Sequence, residues 1–238
     1  MSIKITFTNT FEFNLEAPQP AAKCLPDWYK NAPSYLTDNK IPTVSGTTAT
    51  IKKCVPVFDA ITAGYILTTP ADLYTDLEYE DPENNGTLSQ IRSYRWPNSN
   101  LLGFHPVEQA PNHPLHNTDR DIPKFNNPWS IKTPRGYSCL FVQPFHRESV
   151  FTIMPGIVDT DTYFGNINFP FVFNDSAFVG LIPKGTPLVQ IIPFKRTAWK
   201  SELGNKKDFK AAIAQLIECR TTFFEYYKNH WHTKKEYK

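Results

Sequence analysis

Cys139-Leu-Phe-Val142, Val150-Phe-Thr-Ile153, Ile167-Asn-Phe-Pro-Phe-Val-Phe173 and Leu188-Val-Gln-Ile-Ile192 follow one another between Ser138 and Phe194, separated by proline, glycine and aspartate turns. Short runs of aromatic and β-branched residues, bounded in this way, predict the strands of a densely packed β core. The composition points the same way. With 18 Phe, 11 Tyr and 21 Pro against 2 Met, the chain favours short strands joined by proline-punctuated turns over a helical bundle. Its 238 residues suffice for one large or two small domains, and for a core that needs neither disulfide nor metal to hold it.

Toward the N-terminus, Ile3 to Phe13 alternates apolar and polar residues as a half-buried strand that turns into a second one. Pro26-Asp-Trp-Tyr-Lys-Asn-Ala-Pro33 has room for one or two helical turns, with Trp28 and Tyr29 as anchors. Thr47 to Phe58 and Ala63 to Thr69 read as strands, and Asn84-Asn85-Gly86 signals a hairpin. Residues 96–129 carry six prolines, three histidines and few apolar residues, which predicts a long ordered loop. Toward the C-terminus the period changes after Gly204-Asn205. Phe209, Ile213, Leu216, Ile217, Phe223, Phe224 and Tyr227 recur at mostly three-to-four spacing, predicting one long amphipathic helix, packed on the β domain or at an oligomer interface. The expected organisation is a single β-rich domain over 1–204 followed by a helical segment over 205–238.

Several function classes recede on composition. The 25 basic and 23 acidic side chains nearly cancel, so no global field marks a nucleic-acid or membrane binder. Apolar runs stay far below the ~18 residues of a membrane span, and no charged-then-apolar leader opens the sequence, so a cytoplasmic protein is expected. Cys24, Cys54, Cys139 and Cys219 lie far apart with no Cys-x-x-Cys pair, which predicts reduced structural thiols.

Four segments carry a family resemblance: Ala63-Gly-Tyr-Ile-Leu67, Gly136-Tyr-Ser-Cys-Leu-Phe-Val-Gln-Pro144, Gly156-Ile-Val-Asp-Thr-Asp-Thr-Tyr-Phe-Gly165 and Lys184-Gly-Thr-Pro-Leu-Val-Gln-Ile-Ile192. In this order they resemble the first four motifs of the trimeric dUTPases, within the dUTPase and dCTP-deaminase superfamily, and the match is best over 132–196. The resemblance implies a β-clip barrel or sandwich of short strands, a trimer with shared sites, and a nucleotide ligand. It also implies a motif aspartate that activates water, a tyrosine under the sugar, and magnesium on the phosphates when a nucleotide is bound. By position these are Asp159 and Tyr163; the segment is one residue longer than the family's, so Asp161 competes with Asp159.

The chain departs from that pattern in several places. Ile66 stands where the family has the metal-shell aspartate, and Gln143-Pro-Phe-His-Arg147 replaces the phosphate-binding Pro-Arg-Ser-Gly, leaving His146 and Arg147 as substitutes. Gln190 is kept, Thr186-Pro187 replaces a polar pair, and a helix takes the place of the glycine-rich closing arm. No glutamate follows Gly165 to serve as the deaminase proton shuttle. The whole chain also resembles a family found largely in bacteriophages, on Lys53-Cys-Val-Pro-Val-Phe-Asp-Ala-Ile-Thr-Ala-Gly-Tyr65, Asn127-Pro-Trp129 and Ile182-Pro-Lys-Gly-Thr-Pro187. That resemblance implies a phage setting, in the host cytoplasm or the virion.

The candidate site is therefore Asp159 and Asp161 as catalytic groups, with Tyr163, Arg147, His146 and Gln190 as ligand-binding ones. Each has a second reading: the aspartates as turn residues bonding their own backbone, Tyr163 as a core aromatic. His105, His113 and His116 carry metal-ligand types with one His-x-x-His spacing, and His146, Arg147, Arg135, Lys195 and Arg196 form a candidate anion pocket. Three functions stay open. The first is a dUTPase-like scaffold binding a nucleotide or other small anion without standard dUTP hydrolysis, the second a divergent nucleotide pyrophosphatase, and the third a virion or host-interaction protein.

Overall fold

The computed structural model describes residues 3–11, 14–36, 49–81, 86–93, 101–115, 121–175, 178–221 and 225–238. The chain opens with β1 (Thr6–Asn9), β2 (Gln19–Pro20), helix α1 (Asp27–Asn31) and helix α2 (Val55–Thr62). Then come β3 (Tyr65–Thr68), β4 (Leu73–Asp81), β5 (Gly86–Ser93), β6 (Leu102–His105), β7 (Ile122–Phe125) and β8 (Trp129–Lys132). The segment that reads as core from sequence supplies β9 (Tyr137–Val142), β10 (Phe151–Ile153), β11 (Gly156–Val158), β12 (Phe169–Phe173), β13 (Gly180–Ile182) and β14 (Pro187–Lys195). Helices α3 (Lys206–Thr221) and α4 (Tyr226–His230) follow.

Among the described residues every pairing is antiparallel, in four sheets ordered β1-β8, β10-β12-β7-β6, β11-β9-β14-β3-β2 and β13-β4-β5. The five-stranded sheet organises the rest. β14 lies between β9 and β3, so Leu188 to Ile191 is buried without interruption, as expected of a strand covered on both faces. β12 borders the core on one face and alternates, with Phe169 and Phe171 inside. The aromatic ladder closes the core: Phe125 stacks on Phe171 at 4.3 Å, Phe151 meets both at about 5.5 Å, and Phe141 lies 5.5 Å from Phe169. Phe141, Phe151, Phe169 and Phe171 are each 2% exposed or less, and burying such a side chain stabilises by about 1.5–3 kcal/mol.

Gly64 turns the chain from α2 into β3. Its φ is +67°, and a Cβ there would sit 1.9 Å from the Ile191 carbonyl oxygen, so no other residue fits. Gln190, in the centre of β14, is 1% exposed and fully bonded. Its amide donates to the carbonyls of Ala60 and Ala63 at the end of α2 (2.9 and 2.7 Å), and its oxygen accepts from Phe145 N (3.0 Å).

Three local expectations are corrected. Thr47–Phe58 is no strand over its described part: a single 3-10 turn (Ile51–Lys53) leads into α2. Pro56 in the first turn of that helix starts it rather than ending a strand, since a first-turn N–H needs no partner. Residues 96–129 contain β6, β7 and part of β8. Four-residue strands need few ladder bonds, so Pro123 removes one donor without stopping the pairing. The single C-terminal helix is two, with Glu225 in a left-handed conformation (φ 50°) ahead of α4. Phe223, Phe224, the turn at 82–85 and the second strand expected at 12–13 lie outside the described residues.

Around and beyond α4 the chain returns to the β body and α2. Asp59 on α2 accepts from His232 Nε2 (3.1 Å) and from Lys235 Nζ, Lys53 pairs with Glu225 (3.0 Å), and Tyr237 packs edge-on against Tyr65, whose hydroxyl donates to the Lys238 carbonyl (3.2 Å). Among the described residues no helix is long and apolar enough to cross a membrane.

Candidate functional site

The register of β9 against β14 separates the expected site residues into two groups. Phe194 pairs with Ser138 and Gln190 with Val142, four residues or about 13 Å apart along the strands. Asp159, Asp161, Tyr163 and Arg196 belong to the first end. Gln190, His146 and Arg147 belong to the second. The six catalytic and ligand-binding candidates, Arg196 aside, therefore do not line one cleft, and the anion pocket expected from Arg135, Lys195, Arg196, His146 and Arg147 is divided the same way.

At the first end a turn after β11 carries both aspartates. The Asp159 carbonyl accepts from Thr162 N (3.1 Å) and Tyr163 N (2.9 Å), which closes the turn. Arg196, just past β14, then bridges the two carboxylates: Nη1 lies 2.9 Å from Asp159 Oδ1 and 2.8 Å from Asp161 Oδ1, and Nη2 bonds Asp161 Oδ2. Ser138 Oγ donates to Asp159 (2.7 Å) and Gly136 N to Asp161 (2.7 Å). The side chain of Asp161 is 1% exposed and that of Asp159 59%. The Arg196 guanidinium and the Gly136 amide hold the Asp161 carboxyl at about 2, and the Ser138 hydroxyl, with Arg196, lowers Asp159. A carboxylate so acidic and fully bonded is a weak general base at neutral pH. Tyr163 is 49% exposed and its hydroxyl donates to the Asn166 carbonyl (3.2 Å).

At the second end the loop after β9 bends through His146 in a left-handed conformation (φ 54°). Trp28, on α1, donates from Nε1 to the His146 carbonyl (2.6 Å), and the two rings lie 6.4 Å apart. Arg147 is half-buried and its guanidinium is held by the Cys24 carbonyl. Burial pulls this guanidinium below its ordinary range, against the opposing pull of Cys24 and Asp27. Among the described residues no carboxylate forms an ion pair with it. An open pocket of about 800 Å³ forms here, lined by Trp28, Gln143, His146, Arg147, Glu148 and Thr186 among others. Such a volume accommodates a nucleotide-sized ligand. Gln190 stays out of the pocket; by bonding Phe145 N it fixes the loop that presents His146 and Arg147.

Sequence reading gave Trp28 an anchoring role only. Its contact with His146 spans 118 residues, and no local pattern encodes a contact that distant. A second, smaller pocket of about 170 Å³ opens between Leu15, Leu67, Leu73, Phe125, Trp129 and Leu188. His105 bonds Gln109 (2.8 Å), His113 accepts from Leu115 N (3.2 Å), and His116 lies outside the described residues. Among the described residues no three metal-ligand side chains gather.

No protein-family model and no curated protein sequence matches the chain. Among solved structures it is similar to a mutant dUTPase from phage phi11 of S. aureus, at 12% identity and a TM-score of 0.34, covering 87% of this chain and 99% of that one. It is also similar to a mutant dUTPase of Staphylococcus bacteriophage 80alpha with dUpNHpp, at 12% identity and a TM-score of 0.33, covering 85% and 87%. The chain is mainly β, in several antiparallel sheets with a helical C-terminal segment, and phage dUTPases are among the solved structures it is similar to.

Proposed function

We propose that this chain is a phage-type β-clip protein that binds a nucleotide or another small anionic ligand at the Trp28–His146–Arg147 pocket, without standard dUTP hydrolysis. The supporting observation is Arg147: a half-buried cation, held by one backbone carbonyl and by no carboxylate among the described residues, on an open pocket beside an indole and an imidazole. A guanidinium in that state favours a phosphate or carboxylate, and the flat rings suit a base.

The reading without hydrolysis rests on the other end of the sheet. Asp159 and Asp161 are engaged by Arg196, and Ile66, at the position of the family's metal-shell aspartate, is 1% exposed within β3. These residues do not fit a hydrated magnesium, so the ion enters only on the phosphates of a bound nucleotide.

Thermal unfolding with dUTP, dUMP and ATP, with and without magnesium, tests the proposal. A ligand at 100 times its Kd adds about 2.7 kcal/mol and raises the melting temperature. Arg147→Ala is expected to abolish that rise while the unliganded melt stays close to wild type. No shift with any nucleotide, or a shift that survives Arg147→Ala, sinks the pocket assignment; release of pyrophosphate from dUTP establishes the pyrophosphatase reading instead.

A further inference from the structure

We propose that the pocket beside Trp28 selects a nucleoside monophosphate over the corresponding triphosphate. This choice rests on the ligand site proposed above and specifies what that site takes. Among the described residues that line it, Arg147 is the single lysine or arginine, whereas Asp27 and Glu148 each bring a carboxylate. Asp27 is paired with Lys30 (2.9 Å) and also acts electrostatically on the Arg147 guanidinium. Glu148 is exposed and forms no ion pair among the described residues. Behind the lining, Lys23 and Glu16 act on the Cys24 thiol with opposite sign, and Lys184 lines the smaller pocket instead. The wall therefore offers one fixed cation, facing an excess of negative charge.

The side-chain donors suit one phosphate as well. Arg147 gives one N–H of its fork to the Cys24 carbonyl, and the others have no partner among the described residues. Gln143 Oε1 accepts from Ile153 N (2.9 Å), which leaves the Gln143 NH2 group without a partner among the described residues. Trp28 Nε1 and Thr186 Oγ1 are already committed, to the carbonyls of His146 (2.6 Å) and Pro183 (2.7 Å). Pro26 and Pro187 bring no N–H at all. One guanidinium fork and one amide can meet the terminal oxygens of a single phosphate. A phosphate monoester carries up to about two negative charges and a triphosphate chain roughly twice that. The additional phosphates of the longer chain would meet Asp27 and Glu148 with no further cation to offset them, and like charges at close range cost binding.

Trp28 supplies the nucleoside end. Its indole is 39% exposed, and the bond to the His146 carbonyl fixes it, with the imidazole 6.4 Å away. A ring held in place and partly open to solvent stacks any base, because every base has a π-face. The pocket thus distinguishes a nucleoside monophosphate from a bare phosphate without choosing among bases.

Titration calorimetry of the full chain tests this with dUMP, dUTP, AMP, ATP, ribose 5-phosphate and inorganic phosphate, in EDTA and again in magnesium. The monophosphates are expected to bind about tenfold more tightly than their triphosphates, and AMP about tenfold more tightly than ribose 5-phosphate. Arg147→Ala is expected to abolish binding of both nucleotide classes, and Glu148→Gln to narrow the gap between them about threefold by strengthening the triphosphates. A triphosphate that binds as tightly as its monophosphate, in either buffer, overturns the monophosphate assignment while the ligand site stands. So does a gap that Glu148→Gln leaves intact. Ribose 5-phosphate or inorganic phosphate matching AMP overturns the nucleoside and leaves a phosphate site. If none of these compounds binds, the ligand site itself fails, and the monophosphate preference with it.

Discussion

Asp161 combines a side chain that is 1% exposed with a full negative charge, and Arg196 together with the Gly136 amide makes this tolerable by meeting both oxygens. Its folded-state carboxyl titrates at about 2, below the ~3.9 of an unfolded aspartate. A group depressed on folding contributes stability that is fully present above its unfolded value and is lost as pH falls toward its folded one. Asp161→Asn is therefore expected to lower the melting temperature at neutral pH, with the deficit against wild type shrinking between about pH 4 and pH 2. A deficit that stays constant through this window would show that the ion pair is not its source. The sequence placed Asp159 and Asp161 together in a turn but left open whether they act or merely bond. Arg196, 35 residues beyond Asp161, supplies the partner, and a contact at that separation follows from strand register, not from spacing.

The passage from α2 into β3 shows how far one element's reading goes. The β-branched run before Pro56 reads as part of a strand, yet the chain enters α2 at Val55, with Ile61 buried further along that helix, and Gln190 collects the carbonyls at the helix's end. Local propensity lost to a partner lying 130 residues away. Gly64, in contrast, is informative in both sequence and structure: replacing it by Ala adds a Cβ 1.9 Å from the Ile191 oxygen and forces a left-handed conformation on an L side chain. Gly64→Ala is expected to cost about 2–4 kcal/mol, read as a lower denaturant midpoint at unchanged slope. A loss below about 0.5 kcal/mol would mean that β3 and β14 are not locked at this approach. The prolines of 96–129 mislead for a related reason, since their positional cost is small in strands of four residues.

For the whole molecule, the C-terminal tail is a clasp that ties the helical segment to the β body. Asp59 alone receives His232 and Lys235, and its side chain is 19% exposed. Hydrogen bonds to a charged group of this kind contribute about 1.5–3 kcal/mol, so Asp59→Ala is expected to raise the open population of the tail at least tenfold. Limited trypsin digestion then cuts faster after Lys234 and Lys235, while the aromatic core melts almost as before; equal cutting rates would assign the clasp to Tyr237 and Glu225. The sequence by itself determined the β class, the strands of 138–194 and the change to a helical period after Gly204-Asn205, because periodicity and turn residues act over a few residues. Only the tertiary structure decided that the candidate site divides into two ends, that Trp28 joins His146 and Arg147, that Gln190 is structural, and that α3 buries none of its residues. Each of these depends on which strands pair and in which register, and that is settled by the packing of distant side chains in one core.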